Sequence, residues 1–199
     1  MRRTILLISL MCLAAPTWAA KVLVWGDSLS AAYGLRAQEG WVALLATQLG
    51  AAHSVVNASQ SGETTAGGLS RLPAALQQHR PDVVVLELGA NDGLRGLPLD
   101  EMRSHLSQMI RLSQTAGARV LLVGMALPPN YGMAYTTAFS RVYADTVRQH
   151  RISFVPLLMA GFEADRRYFQ ADGLHPTAAA QGMMRDTVSK PLLPLLKTR

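Results

Sequence analysis

Val83-Val84-Val85-Leu86 is apolar at every position, and Val120-Leu121-Leu122-Val123 repeats the pattern further along the chain. A strand with one wet face alternates apolar and polar side chains, so unbroken runs predict strands buried on both faces, as in the middle of a parallel sheet. Working outward, β-rich apolar runs fall at residues 21–25, 54–56, 83–88, 120–125 and 153–157. Helical periodicity fills 41–49, 69–79, 99–116 and 134–149, and the tail 178–196. The alternation predicts right-handed βαβ units, hence an α/β fold: a three-layer α/β/α sandwich with a central parallel sheet of about five strands. Pro81 and Gly117 mark helix-to-strand turns, since proline disfavours helix continuation and glycine ends a helix easily.

Open α/β sheets place their chemistry at the carboxyl ends of strands. Gly26-Asp27-Ser28-Leu29-Ser30 directly follows the first run, and Ser61-Gly62-Glu63 and Gly89-Ala90-Asn91-Asp92 come after the second and third. Asp172-Gly173-Leu174-His175-Pro176 lies near the carboxyl terminus. An alcohol is a poor nucleophile at neutral pH, so Ser28 needs a base, for which His175 is the candidate. Asp172, three positions earlier in the same turn, is placed to hold the imidazole tautomer and stabilise its charge. Pro176 predicts the start of the last helix. Ser30 occupies the final glycine position of a Gly-x-Ser-x-Gly elbow, which excludes the α/β-hydrolase signature. Each block alone also reads as ordinary structure: Ser28 and Asp172 as caps or turn residues, Gly62 and Asn91-Asp92-Gly93 as turns. Four blocks in order, each after a strand, point to nucleophilic catalysis. His53, His79, His105 and His150 have no ligand-like spacing and receive no role, and no metal is assigned.

Those blocks resemble the GDSL or SGNH hydrolase family, which is named for residues matched here by Ser28, Gly62, Asn91 and His175. The resemblance continues through residues 86–96 and Leu127-Pro128-Pro129-Asn130-Tyr131-Gly132, and is strongest to the bacterial periplasmic thioesterase, lysophospholipase and arylesterase type. It implies the flavodoxin-like strand order 2-1-3-4-5 of the SGNH hydrolase fold. It also implies an oxyanion hole made by the backbone N–H groups of Ser28 and Gly62 and the side-chain amide of Asn91. The implied activity is hydrolysis of carboxylic esters and acyl thioesters, including acyl-CoA thioesterase, lysophospholipase and arylesterase activities, through an acyl-enzyme on Ser28 with no cofactor. A carbohydrate O-acetylesterase is the same chemistry on another substrate. A metal-dependent phosphoesterase built on Asp27, Asn91, Asp92 and His175, and a non-catalytic binding module, are rivals of other classes. Relatives usually carry aspartate at Glu63 and often glycine at Ala90. The longer Glu63 side chain is expected to tie the Gly62 loop differently or more loosely, and Asp27 to support the Ser28 loop through backbone hydrogen bonds. Leu94, Leu97, Leu127, Pro128 and Tyr131 lie in loops flanking the expected site and read either as an acyl or aryl groove or as loop anchors.

The 199 residues, 49% of them hydrophobic, suffice for one α/β domain and are too few for two ordinary ones. Arg2 and Arg3, an apolar stretch at 5–15 and small residues around Thr17 to Ala20 predict a signal peptide over 1–19, cleaved after Ala19, and a single domain over 20–199. Cys12, the only cysteine, falls inside that stretch, so the mature domain would hold no disulfide. The expected location is periplasmic or secreted, without a stable membrane anchor after cleavage. The net charge of +6 comes from scattered residues rather than a basic stripe with interleaved aromatics, which argues against nucleic acid as a partner. The expected partner is a small-molecule acyl ester, thioester or lysophospholipid, and the expected state a monomer.

Overall fold

Five strands form one all-parallel sheet in the computed structural model, which describes residues 19–197. They are β1 (Lys21–Gly26), β2 (Ser54–Asn57), β3 (Val83–Glu87), β4 (Arg119–Val123) and β5 (Ser153–Val155), in the order β2-β1-β3-β4-β5. The expected α/β architecture and strand order are therefore present. The register pairs Val24 with Val85, Val85 with Leu121 and Leu122 with Phe154. Val83, Val84, Val85 and Leu86 are each at most 1% exposed, as their unbroken apolar run requires. Burying one such side chain stabilises the fold by about 1.5–3 kcal/mol, so the sheet centre is the main anchor of the molecule. Arg2, Arg3 and Cys12, on which the expectation of a signal peptide rests, lie outside the described residues.

Among the described residues six α-helices cover the sheet: α1 (Trp41–Leu49), α2 (Thr65–His79), α3 (Ala90–Leu94), α4 (Leu99–Thr115), α5 (Met133–His150) and α6 (Ala178–Leu196). α1 packs with α6, while α4 packs with both α2 and α5, giving a helical layer on each face. The chain leaves β1 for the edge strand β2 and returns to β3 on the other side of β1. That reversal opens a crevice above the carboxyl ends of β1 and β3.

Two boundaries differ from the sequence reading. α2 begins at Thr65, earlier than residue 69, because the Thr64 side chain caps it by accepting from the Gly67 N–H (3.3 Å). Gly67 and Gly68 interrupt the apolar periodicity, and Gly68 is small for packing: a Cβ there would come 2.4 Å from Leu88 Cδ1. Pro176 does not start α6. It forms an antiparallel bridge with Phe169, and α6 begins at Ala178 behind Thr177. Gln170 N–H donates to the His175 carbonyl (2.8 Å) and Thr177 N–H to that of Tyr168 (2.7 Å), so the loop between them is clamped at its base.

Candidate active site

β1 delivers Gly26, and the chain turns at once: Ala31 N–H donates to the Asp27 carbonyl (2.9 Å) and Tyr33 N–H to that of Ser28 (3.1 Å). Ser28 Oγ then lies 2.9 Å from His175 Nε2, and His175 Nδ1 lies 2.7 Å from Asp172 Oδ2. Asp172 Oδ1 accepts from the N–H groups of Leu174 (2.8 Å) and His175 (3.0 Å). Partial burial would raise the Asp172 carboxyl, but these backbone donors and the imidazole outweigh it and hold the group at about 2. An ionised carboxylate only accepts, so Nδ1 carries the imidazole proton and Nε2 is left to receive the one on Ser28. The i, i+3 spacing read from the sequence thus brings the acid and the imidazole together.

Gly62 sits on the neighbouring loop with φ +78°, a conformation that favours glycine; a Cβ would meet nothing closer than Arg95 Nη2 at 3.5 Å, so conformation rather than space is what requires glycine. Arg95 Nη2 donates to the Gly62 carbonyl (2.9 Å) and pins the loop. Among the described residues, neither the Ser28 nor the Gly62 N–H donates to another group. Asn91, in the first turn of α3, donates through Nδ2 to Asp27 Oδ2 (3.0 Å) and to the Glu63 carbonyl (3.0 Å). Both acceptors fix which end of the amide is nitrogen, and both amide hydrogens are engaged.

Asp27 is 1% exposed, and its Oδ1 accepts from Leu29 N–H (3.0 Å), the backbone tie expected of it. The bond to Asn91 was not expected. Burial raises the Asp27 carboxyl to about 6 against the pull of the Leu29 N–H, His175 and Asn91. Beneath it lies Glu87, which sequence reasoning passed over as the end of an apolar strand. Its Oε2 accepts from Ser30 Oγ (2.6 Å) and Asp27 N–H (3.3 Å). Complete burial, and then the Asp27 charge, hold the Glu87 carboxyl well above the ordinary carboxylate range. Gly26 leaves room for it, since a Cβ there would come 2.5 Å from Glu87 Oε2.

Glu63 was expected to tie the Gly62 loop differently or more loosely, and the tie it makes runs to a helix. Its Oε2 accepts from Arg71 Nε (2.6 Å) on α2, and the Arg71 guanidinium lies over the Trp25 indole, 4.2 Å from the ring centroid. The additional methylene is used to reach a helix. Asp92, offered as a metal ligand in the phosphoesterase reading, is 2% exposed and accepts from Thr65 N–H (2.9 Å) and Thr65 Oγ1 (2.5 Å), tying α3 to α2. Among the described residues no three of His, Cys, Asp and Glu are grouped as a cation site requires.

A cavity of about 710 Å³ opens beside Ser28, Asn91 and His175. Leu94, Leu127 and Pro128 line it, as the sequence suggested. Leu97 and Tyr131 do not. Tyr131 Oη donates to the Leu94 carbonyl (3.0 Å) and its ring stacks on Tyr135, while Leu97 follows the left-handed Gly96 and is 37% exposed. Met125 after β4 and Leu157, Met159 and Phe169 after β5 add to the apolar wall.

The profile of the GDSL-like lipase/acylhydrolase family matches residues 24–182. Esterase TesA of Pseudomonas aeruginosa is 46% identical over 192 residues, covering 95% of this chain and 96% of that protein. Thioesterase 1/protease 1/lysophospholipase L1 of Escherichia coli K12 is 41% identical over 178 residues, covering 89% of this chain and 86% of that protein. A crystal structure of TesA superposes with a TM-score of 0.86 at 48% identity, covering 88% of this chain and 99% of that one.

Proposed function

The chain belongs to the GDSL-like lipase/acylhydrolase family and hydrolyses esters and thioesters as an SGNH hydrolase; we propose that it does so through an acyl-enzyme on Ser28. The observation that carries this reading is the continuous chain from Asp172 through His175 (2.7 Å) to Ser28 Oγ (2.9 Å). As Oγ attacks the carbonyl carbon, its proton passes to Nε2, and the imidazolium is held by Asp172. The charge on the carbonyl oxygen is met by the N–H groups of Ser28 and Gly62 and by Asn91, whose amide turns one hydrogen from the Glu63 carbonyl to the oxyanion. His175 returns the proton to the leaving oxygen or sulfur. Water then repeats the sequence on the acyl-enzyme.

The acyl chain occupies the apolar cavity, where each buried methylene contributes about 0.8 kcal/mol. An acetyl group fills little of 710 Å³, which favours longer acyl thioesters, lysophospholipids and fatty or aryl esters over acetylated carbohydrate. The proposed enzyme needs no metal or organic cofactor, acts as a monomer, and works in the periplasm or outside the cell after losing residues 1–19. No helix among the described residues is long and apolar enough to cross a membrane.

A fluorophosphonate tests the proposal. One label on Ser28 by peptide mass mapping, lost in Ser28→Ala, is the expected result; labelling at Ser30 or Ser61 relocates the nucleophile and overturns it. Activity is expected to survive chelator treatment, and a loss restored by a divalent ion would revive the phosphoesterase reading.

A further inference from the structure

Tyr33 is 51% exposed, yet its ring lies against the imidazole of His175, with centroids 4.4 Å apart and planes inclined at 37°. Its position is built rather than incidental. Tyr33 lies between Ala32 (φ 59°) and Gly34 (φ 75°), two successive departures into the left-handed region, the first by a residue with a Cβ. Non-glycine residues rarely adopt that conformation, and when they do the surrounding structure must hold them there. Here it does so from two sides. Tyr33 N–H donates to the Ser28 carbonyl (3.1 Å), and Gln170 Nε2, from the clamped loop that carries His175, donates to the Tyr33 carbonyl (2.9 Å). A Cβ on Gly34 would come 2.2 Å from Gln170 Oε1, so the two loops are fitted closely.

We propose that Tyr33 is the leaving-group subsite and gives the enzyme a preference for flat, aromatic leaving groups. This inference rests on the acyl-enzyme reading of Ser28. In acylation the bond from Ser28 Oγ to the acyl carbon forms, the bond from that carbon to the leaving oxygen breaks, and the Ser28 proton reaches that oxygen by way of His175 Nε2. The leaving oxygen must therefore lie within hydrogen-bond reach of Nε2. The carbonyl oxygen points the other way, toward Gly62 and Asn91, and the acyl chain enters the cavity. What remains for the leaving group is the imidazole side of the nucleophile, where Tyr33 presents the exposed aromatic surface. Tyr33 does not line the apolar cavity, so the two halves of an ester are read by separate surfaces. An aromatic ring prefers another ring in offset or edge-to-face contact over a saturated group of the same size.

The test uses phenyl and cyclohexyl esters of one fatty acid and compares their kcat/KM in the parent enzyme, Tyr33→Phe and Tyr33→Leu. The intrinsic reactivity of each ester cancels when a variant is compared with the parent, and both esters give the same acyl-enzyme. Leucine keeps an apolar group against the imidazole while removing the ring. The phenyl-to-cyclohexyl ratio is expected to fall about five- to tenfold in Tyr33→Leu and to be retained in Tyr33→Phe. An unchanged ratio in Tyr33→Leu, including an equal loss on both esters, shows that the ring only seats the imidazole and overturns the proposal. A fall in Tyr33→Phe equal to that in Tyr33→Leu assigns the effect to the hydroxyl and overturns it too. Failure of the parent enzyme to take a fluorophosphonate on Ser28 is a different result, and removes the acyl-enzyme reading itself.

Discussion

Asn91 begins the reaction with both amide hydrogens engaged, by Asp27 and by the Glu63 carbonyl. Its contribution to an oxyanion is the difference between the bond it gains there and the one it gives up, and that difference is large only once charge has developed. Asn91→Ala should therefore lower kcat by about 10²–10³ with little change in KM, measured by steady-state ester hydrolysis. Asp172→Asn should cost roughly 10⁴ in kcat at an unchanged thermal midpoint, because the amide turns the imidazole to the wrong tautomer without emptying a buried site. Asp27→Asn should lower both, since the buried carboxylate accepts from Leu29 and Asn91 and an amide has one acceptor atom for the two. The residues of the four blocks were legible because each lies in a short motif, three of them close after a strand and the fourth carrying its acid and imidazole three positions apart. Glu87 and Tyr33 were not. What makes Glu87 unusual is its contact with Asp27 across 60 positions of chain, and what marks Tyr33 is exposure beside an imidazole; neither has a local signature.

Elements hold those residues in place, and two contacts between elements can be tested. The bond from Arg71 on α2 to Glu63 fixes the loop whose carbonyl steers Asn91. Glu63→Asp withdraws the carboxylate from Arg71, so kcat should fall a few-fold with the fold intact, since small misplacements at a reacting centre are expensive. The opposite outcome, a rise in kcat, would show that the shorter aspartate ties the loop better. Glu87 couples β3 to the turn after β1 and has a raised carboxyl. The stability that its protonation contributes is fully present below the unfolded value near 4.5 and is lost as pH rises toward the folded value. Glu87→Gln cannot ionise, so its Tm relative to the parent should climb between pH 5 and pH 8; a flat difference would mean that Glu87 is not held protonated. Central strands were readable because burial on both faces leaves an unbroken apolar pattern. The start of α2 was obscured by glycines chosen for packing, and Pro176 by a bridge to Phe169 that only the folded chain contains.

At the scale of the whole molecule, the alternation of strands and helices was enough to specify layers, because a parallel sheet buries both faces under helices. The cavity was half legible: its near wall follows the Asn91 block and β4, whereas Leu157, Met159 and Phe169 reach it only through the packing of the segment after β5. Distant parts of the chain also meet at one point, for Ser28 and His175 are 147 positions apart. A chain ending before Asp172 would keep every strand but lack the base, and should show no fluorophosphonate labelling above that of Ser28→Ala, even where circular dichroism reports secondary structure. Synthesis runs from the serine toward its base, so a chain stopped between the two carries Ser28 without the imidazole that would activate it.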